Sequence, residues 1–387
     1  MLLASRRRRI AGLTATALAV SALVAMSDVG EAAAAQPDSS VAVSLGDSFV
    51  SGEGARWSGN AAPKGGPSAW GTDRLCILRW WGCEPRPGGV YRGGPTAACH
   101  RSDVAEIEVA PLGELERFNL ACSGAEVRDI YRRPDDGPAE SLPSQVDRLQ
   151  SIARSHPVSL VVISVGANDL GFSRLVRNCA SAWLGITRSG CRAAGGIAIA
   201  RNLPGLKGRL RYALERIVTA MERAGRPRDS WQLVVQGYAS PLPEEGEYRY
   251  PQESARRLSP GGCPFGDSDS NWAKHTLVRA LNATLEAAAE AQGARFLDLS
   301  DAFAGHAVCD GRVQLVREDG PSGVRSEWFR YLVPCCGGMA RESLHPNSFG
   351  HRAMGVCLAR FFGLDARRGS CQPRVGAGPA AMKVEAG

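Results

Sequence analysis

The feature that most constrains the fold is a series of short strand-like stretches that alternate with segments of helical periodicity. Leu160–Val165 is an apolar run typical of strands inside a parallel sheet, where both faces are buried. Four other stretches have strand character, the second of them weakly: Val41–Leu45, Arg117–Leu120, Gln232–Val235 and Arg295–Leu299. The sequence therefore predicts five strands.

Between the strands, apolar residues recur at helical spacing. They form three groups, which are Val146, Leu149 and Ile152; Leu210, Leu214, Ile217, Val218 and Met221; and Leu277, Val278, Leu281 and Leu285. A last helix is predicted over Phe349–Phe362. Because alternating strands and helices build a parallel sheet covered on both faces, we predict an α/β fold, a flavodoxin-like three-layer α/β/α sandwich with a five-stranded parallel sheet. Ligands bind such sheets beyond the carboxyl ends of the strands.

Two segments break this rhythm. The stretches near 57–97 and 311–341 are irregular, and the first is rich in glycine, proline and tryptophan. We interpret both as insertions on a single domain that spans 36–366. Residues 367–387 are expected to form a frayed C-terminal tail.

The N-terminus has the layout of a secretory signal peptide. Arg6–Arg9 precede the apolar run Ile10–Met26, and small residues at Ala32–Ala35 offer a cleavage site. The paired arginines also permit a twin-arginine route. A membrane anchor is the alternative, but the run is shorter than the roughly 20 apolar residues of a spanning helix. We therefore expect residues 1–35 to be removed and the protein to be secreted and extracellular.

Charge and cysteine content narrow the class further. Without residues 1–35 the net charge falls from +7 to +5, and no basic stripe interleaved with aromatics suggests a nucleic-acid partner. No later segment predicts stable membrane insertion, and a monomer is our working expectation. All twelve cysteines follow residue 35, which in an exported chain indicates disulfides. A zinc site would need clustered Cys-x-x-Cys pairs, which are absent, so no metal is expected.

A serine follows the first predicted strand directly. Gly46-Asp47-Ser48 comes immediately after the strand Val41–Leu45, and two further glycines follow at positions 52 and 54. A serine at that edge of a parallel sheet faces the ligand cleft, although Gly-Asp-Ser is also a common turn. Its hydroxyl is a weak nucleophile until a neighbouring base takes the proton.

His345 is the candidate base. It lies in a loop that leads into the last predicted helix, and Pro346 stiffens the backbone beside it. The other five histidines are interpreted as ordinary surface residues: His100, His156, His275, His306 and His351.

Two further motifs offer hydrogen-bond donors to an oxyanion. Asn168 follows the strand Leu160–Val165, and its amide is a suitable donor. Gly124 lies in the loop after the second strand, where a backbone N–H is available. Turn formation is the alternative for both. Position 50 is valine, so the Gly-x-Ser-x-Gly elbow of α/β-hydrolases is absent.

Taken together, Gly46-Asp47-Ser48, Gly124, Gly166-x-Asn168 and His345 resemble, in order, blocks I, II, III and V of the SGNH/GDSL hydrolases. Three segments are similar to the secreted bacterial GDSL lipases and esterases in particular: Ala98–Ser102, Asn119–Ala125 and Gly305–Cys309. The likeness covers roughly residues 40–56, 98–310 and 340–362. It implies the SGNH hydrolase fold and acyl-ester hydrolysis without a cofactor.

The resemblance also implies roles. Ser48 is the nucleophile and His345 the general base, while Ser48, Gly124 and Asn168 supply the oxyanion donors. Where family members often have an aspartate three residues before the histidine, this chain has Glu342. We expect Glu342 to orient the imidazole, with a backbone carbonyl as the alternative. Asp47 and Asp169 are expected to hold the motif loops.

Disulfide pairing follows from the resemblance for six cysteines, as Cys99–Cys122, Cys179–Cys191 and Cys263–Cys309. Cys76–Cys83 and Cys357–Cys371 are plausible local pairs, and Cys335 and Cys336 have no obvious partner except each other. The expected substrate is a small-molecule or lipid ester. A carbohydrate O-deacetylase is the alternative, since Trp57, Trp70, Trp80, Trp81 and Tyr91 suit sugar stacking. A catalytically silent binding protein is disfavoured because every reactive position is present.

Overall fold

A computed structural model describes residues 39–60, 76–79, 82–85, 91, 94–135, 140, 142–186, 191–259, 261–314, 321–332 and 339–387. These residues belong to one compact unit that spans Asp38–Gly387. The expected signal peptide, the pair Cys335 and Cys336 and the side chains of Cys76 and Cys83 lie outside the described part. No helix within that part is both long and apolar enough to cross a membrane.

The core of the molecule is a seven-stranded sheet. Its strands are β1 (Val41–Gly46), β4 (Glu116–Asn119), β5 (Val158–Ser164), β6 (Gln232–Gln236), β7 (Arg295–Asp298), β8 (Arg368–Gln372) and β9 (Lys383–Ala386), in the order β4-β1-β5-β6-β7-β8-β9. All neighbours are parallel except β8 and β9. A separate antiparallel hairpin, β2 (Cys76–Arg79) and β3 (Gly82–Pro85), lies in the first insertion.

The α/β class is confirmed, and so are the five predicted strands, but the strand count is wrong. Residues 367–387 are not a frayed tail, because they supply β8 and β9 at the edge of the sheet. Cys371 in β8 is joined to Cys357, and Met382 before β9 is fully buried. These strands are missed because only alternate residues of β8 are buried and β9 lies at the exposed edge of the sheet, so neither has the apolar run that marks β5.

Helices flank the sheet. They are α1 (Ser48–Ser51), α2 (Glu106–Val109), α3 (Val127–Tyr131), α4 (Gln145–Ser155), α5 (Phe172–Trp183), α6 (Cys191–Arg223), α7 (Asp267–Trp272), α8 (Arg279–Ala291), α9 (Met339–Glu342) and α10 (Ser348–Phe362). A π-helical turn, Ala273–Val278, joins α7 to α8. The long helix α6 packs against α3, α4, α5 and α8, whereas α10 packs against α2.

The strand order places a crevice at the end of β1. This strand lies between β4 and β5, so the chain leaves it towards one side and later returns to the other. Such a reversal is where doubly wound sheets bind ligands. Gly46 pairs with Ser164 of β5, and a Cβ at Gly46 would come 2.1 Å from the Ser164 carbonyl oxygen. Glycine therefore lets β1 end directly against β5.

Four disulfides join described residues. Cys99 is bonded to Cys122, Cys179 to Cys191 and Cys263 to Cys309, which are the pairs that the resemblance implies. Cys357–Cys371 is the fourth.

Candidate active site

Ser48 is positioned by the sharp end of β1. Asp47 caps the short helix α1, since its Oδ1 accepts the N–H of Phe49 at 2.9 Å. Its Oδ2 accepts the hydroxyl of Tyr238 at 2.6 Å. The carboxylate of Asp47 therefore ties the turn at Ser48 to the residues that follow β6, in line with its expected structural role.

His345 lies in a loop that is pinned from both sides. Its carbonyl oxygen accepts the N–H of Arg330, whose own carbonyl accepts the N–H of Leu344, both at 2.8 Å. Asn347 then caps α10 by accepting the N–H groups of Phe349 and Gly350. Two-sided pairing of this kind holds the imidazole in one place.

The structure brings Ser48 and His345 into direct contact. Oγ of Ser48 lies 2.7 Å from Nε2 of His345, and Nδ1 of His345 lies 3.1 Å from the carbonyl oxygen of Ser343. Because a carbonyl oxygen only accepts, the proton of the neutral imidazole is on Nδ1 and Nε2 is the acceptor. The Ser48 hydroxyl therefore donates to His345, as a nucleophile must donate to its base.

The electrostatics favour a neutral imidazole. Burial lowers the pKa of His345 below its ordinary value, while the negative charge of Glu53 opposes that shift. A base must be unprotonated to accept a proton, so the lowered pKa keeps His345 competent near neutral pH.

The expectation for Glu342 is corrected by its contacts. Its carboxylate accepts Nε and Nη2 of Arg56 at 2.5 and 2.9 Å, Nε1 of Trp57 at 2.7 Å and the hydroxyl of Tyr91 at 2.9 Å. None of these contacts is with His345, whose Nδ1 bonds to the Ser343 carbonyl instead. The longer side chain turns away to a buried arginine, and the alternative of a backbone carbonyl is the arrangement observed.

Two of the three expected oxyanion donors, Asn168 and Gly124, lie on loops that are tied together. Nδ2 of Asn168 donates to the carbonyl oxygen of Ala125 at 2.9 Å, which links it to the loop of Gly124. Oδ2 of Asp169 accepts the N–H of Val127, also at 2.9 Å. Gly124 is exposed, has a φ of +80°, and its N–H has no acceptor among the described residues.

A second buried pair supports the same loop. Nδ1 of His100 lies 2.8 Å from both carboxylate oxygens of Glu53, and the Ser123 hydroxyl donates to Glu53 at 2.5 Å. Burial raises the pKa of Glu53, but its hydrogen bond with His100 and the charges of His345 and His100 outweigh this and lower the pKa overall. The disulfide Cys99–Cys122 ties the two chain segments together.

Three histidines differ from expectation. His100, His306 and His351 are buried, not on the surface. His306 stacks on Trp328, and Nδ1 of His351 accepts the N–H of Glu106. Each imidazole has a polar or aromatic partner far away in sequence, which explains why sequence alone does not reveal its burial.

Two site residues are missing from the sequence interpretation. Tyr238, the partner of Asp47, follows β6 at the same sheet edge as the motifs, so its position carried a usable signal. Nothing in the sequence could have identified the carbonyl of Ser343, because every residue has a backbone carbonyl. Within the described residues, no group of three histidine, cysteine or acidic side chains is arranged to hold a metal ion.

A largely apolar pocket opens beside Ser48 and His345. The space inside it that a water-sized sphere can occupy is about 80 Å³. The apolar lining is formed by Phe49, Leu170, Phe172, Leu175, Ile199, Tyr238, Pro241, Leu277, Val278, Leu281 and Leu344. A second cavity, with about 40 Å³ of such space, shares Phe172, Leu175 and Leu344 with it and extends to Cys179–Cys191. An apolar group therefore fits next to the serine hydroxyl.

Comparison with known proteins agrees with this arrangement. The sequence profile of the GDSL-like lipase/acylhydrolase family matches residues 108–353, which include Gly124, Asn168 and His345 but not Ser48. Phospholipase A1 from Streptomyces albidoflavus is 20% identical, with a TM-score of 0.50 over 81% of this chain and 94% of that one. The extracellular lipase from Streptomyces rimosus is also 20% identical, with a TM-score of 0.49 over 81% and 95%.

A comparison with curated proteins found no match. The likeness to the phospholipase shows a shared fold, and the profile match covers most of the chain. Fold and profile define the class as a carboxylic-ester hydrolase. The chain belongs to the GDSL-like lipase/acylhydrolase family.

Proposed function

We propose that the protein is a secreted serine esterase or lipase that works through an acyl-enzyme on Ser48, with His345 as its general base. The observation that carries this proposal is the hydrogen-bonded series from Ser48 Oγ through the imidazole of His345 to the Ser343 carbonyl. A base within bonding distance of a hydroxyl, and itself oriented by a third group, is the requirement for an activated nucleophile.

In acylation, Ser48 Oγ attacks the ester carbonyl carbon while its proton moves to Nε2 of His345. The tetrahedral intermediate collapses as the imidazolium returns that proton to the leaving alcohol. The Ser343 carbonyl keeps Nδ1–H in place and so preserves the tautomer that accepts at Nε2. In deacylation, His345 takes a proton from water, and the resulting attack releases the acid and restores Ser48.

The carbonyl oxygen gains negative charge in both steps. The N–H of Ser48, the N–H of Gly124 and the amide of Asn168 are proposed as its donors. The bond from Asn168 to Ala125 supports this role, since it holds the amide beside the Gly124 loop before any substrate arrives. Donors that are already oriented cost no reorganisation during the reaction.

The shape of the pocket favours an acyl chain over a sugar. Its lining is aliphatic and aromatic, and it begins at the nucleophile itself. Trp57 and Tyr91, two aromatics considered for sugar stacking, are only 8% and 5% exposed and donate to Glu342. The other three tryptophans lie outside the described residues. An O-deacetylase is therefore the weaker candidate.

Secretion is supported by two independent features. The layout of residues 1–35 is typical of a signal peptide. Four disulfides join described residues, and such bonds form and persist in oxidising compartments.

The decisive experiment is labelling with a serine-directed phosphonate. The unmodified chain should lose esterase activity in step with the formation of one adduct, which peptide mapping should place on Ser48. Ser48→Ala should take up no label, keep its thermal unfolding temperature and retain less than about a hundredth of the activity. An adduct on another serine would overturn the assignment. Parallel assays with soluble esters of increasing chain length and with acetylated xylan separate the two substrate classes.

A further inference from the structure

The hairpin beside the pocket has an unusual charge. Between Gly171 and Leu214 the sequence contains seven arginines and one lysine but no aspartate or glutamate. Elsewhere acids are common, since the whole chain has 39 of them among 387 residues. We call the described part of this segment, α5 through Ile186 and the first half of α6 to Tyr212, the basic hairpin. The disulfide Cys179–Cys191 ties its two helices together.

Most of these cations face solvent and have no acidic partner among the described residues. Arg174, Arg177, Arg201, Lys207 and Arg211 are exposed, and no carboxylate among the described residues lies within 4.0 Å of them. Arg192 and Arg209 do contact acids, Asp269 and Asp169 respectively. Five positive charges that no described carboxylate neutralises make a strong local field on this hairpin, suited to an anionic surface.

Large aliphatic side chains are exposed on the same hairpin. Ile186 is 71% exposed, Ile197 is 69% exposed and Leu184 is 44% exposed. Ile197 and Arg201 are one turn apart on α6 and thus share a face. Aliphatic groups presented among cations on a helical surface are typical of segments that lie at a lipid–water boundary.

The basic hairpin also forms part of the pocket. Phe172 and Leu175 of α5 and Ile199 of α6 line it from inside, so the two helices present one face to the pocket and another to solvent. A surface that binds the hairpin is therefore brought close to the pocket mouth.

We propose that the basic hairpin docks on an anionic lipid surface, with Ile186 and Ile197 entering the headgroup layer and the arginines binding the phosphates. A soluble polyanion such as DNA would use the charge alone, whereas the exposed isoleucines favour lipid. Docking itself does not depend on the proposed function. Only its purpose, the delivery of an acyl chain to Ser48, rests on that function. Vesicle binding and hydrolysis of a soluble ester are measured separately, so either can fail without the other.

The test uses the full chain with Ser48→Ala, which leaves the lipid intact, and co-sedimentation with vesicles of equal parts phosphatidylglycerol and phosphatidylcholine. Binding should weaken with salt and be at least about tenfold weaker to pure phosphatidylcholine. Each cation near an anionic membrane contributes about fivefold in affinity. Arg177→Gln/Arg201→Gln should therefore bind about 25-fold more weakly. The matched control Arg352→Gln/Arg360→Gln, two exposed arginines of α10, should change affinity less than about threefold.

The aliphatic contribution is tested in the same way. Ile186→Ser/Ile197→Ser should bind at least about tenfold more weakly, whereas Leu258→Ser/Leu364→Ser, which alters two exposed leucines elsewhere, should bind normally. Thermal unfolding checks that each variant is folded. Equal loss in a hairpin variant and its control, or no vesicle binding at all, would overturn the proposal. Loss in the arginine variant alone, with duplex DNA competing fully, would overturn it in favour of a soluble polyanion.

Discussion

Nδ1 of His345 is satisfied by the carbonyl oxygen of Ser343, two residues earlier, and not by the carboxylate of Glu342 beside it. The acid is buried and bonded to Arg56, Trp57 and Tyr91. The hydrogen bond that a carboxylate would normally accept from the imidazole is thus accepted by a backbone carbonyl. Different groups therefore orient the imidazole of His345 and stabilise its loop, and substitutions can test the two roles separately.

Glu342→Gln should damage stability more than catalysis. Removing one partner of a buried ion pair leaves Arg56 uncompensated and should lower the free energy of unfolding by about 3–5 kcal/mol. The fall in kcat should stay below about tenfold, because the hydrogen bond to the imidazole is unaltered, while His345→Ala should be nearly inactive. Urea unfolding and kcat at low temperature measure the two effects. Glu327→Gln, which breaks the buried pair with Arg249, is the matched control. A folded Glu342→Gln that loses more than about 10³ in kcat would contradict this view.

Asn168→Ala should lower kcat by roughly 10²–10³ with little change in KM, because an oxyanion donor binds charge that develops only in the transition state. Its bond to Ala125 is lost as well, so thermal unfolding should be recorded beside the kinetics. Asn178→Ala, a partly buried asparagine on α5, is a suitable control. A change confined to KM would show that Asn168 touches the substrate and not the oxyanion.

The pH profile should report His345. Burial lowers the pKa of His345 from its ordinary value of 6.5, so kcat/KM should rise with a midpoint below pH 6.5 and then level off. Glu53→Gln removes the charge that raises this pKa, so the midpoint should move to still lower pH. The exposed Glu114→Gln should leave it in place. A midpoint above 6.5, or an upward shift in Glu53→Gln, would contradict the assignment.

Glu106→Gln should stabilise the fold at neutral and mildly alkaline pH. Burial raises the pKa of Glu106 from 4.5 to about 8, and the nearby amide of Gln236 offsets this shift only in part. The folded state therefore holds a proton that the unfolded chain releases above pH 4.5. Stability from this proton is complete below pH 4.5 and is lost as the pH rises towards 8.

The neutral amide avoids that loss, so the variant should gain about 2–4 kcal/mol at pH 7 and show a flatter stability profile between pH 5 and 8. Urea unfolding at several pH values measures it, with the exposed Glu290→Gln as control. An unchanged slope would mean that Glu106 is ionised in the folded protein.

Sequence predicts this molecule well where a local pattern reflects the fold. β5 is recognisable because a central parallel strand must be apolar on both faces, and Ser48 and Asn168 because each follows such a strand. β8 and β9 are not recognisable, since only alternate residues of β8 are buried and β9 lies at the exposed edge of the sheet.

Contacts between residues that are far apart in the sequence could not be predicted from it. Nothing local to Glu342 indicates that Arg56 lies opposite it, because the contact spans 286 residues. Whether a carboxylate or a carbonyl orients His345 depends on that contact, so the sequence alone could not decide between them.

Ser48 and His345, the proposed nucleophile and base, are 297 residues apart, and this separation has a kinetic consequence. Contacts this distant form late in folding, because closing a long loop costs entropy before any contact repays it. We therefore expect the series from Ser48 to Ser343 to be among the last features to assemble. During refolding, ester hydrolysis should return after the intrinsic fluorescence of the core has recovered. A nascent chain would have no hydrolytic activity until His345 has been synthesised and α10, the helix that follows it, has docked.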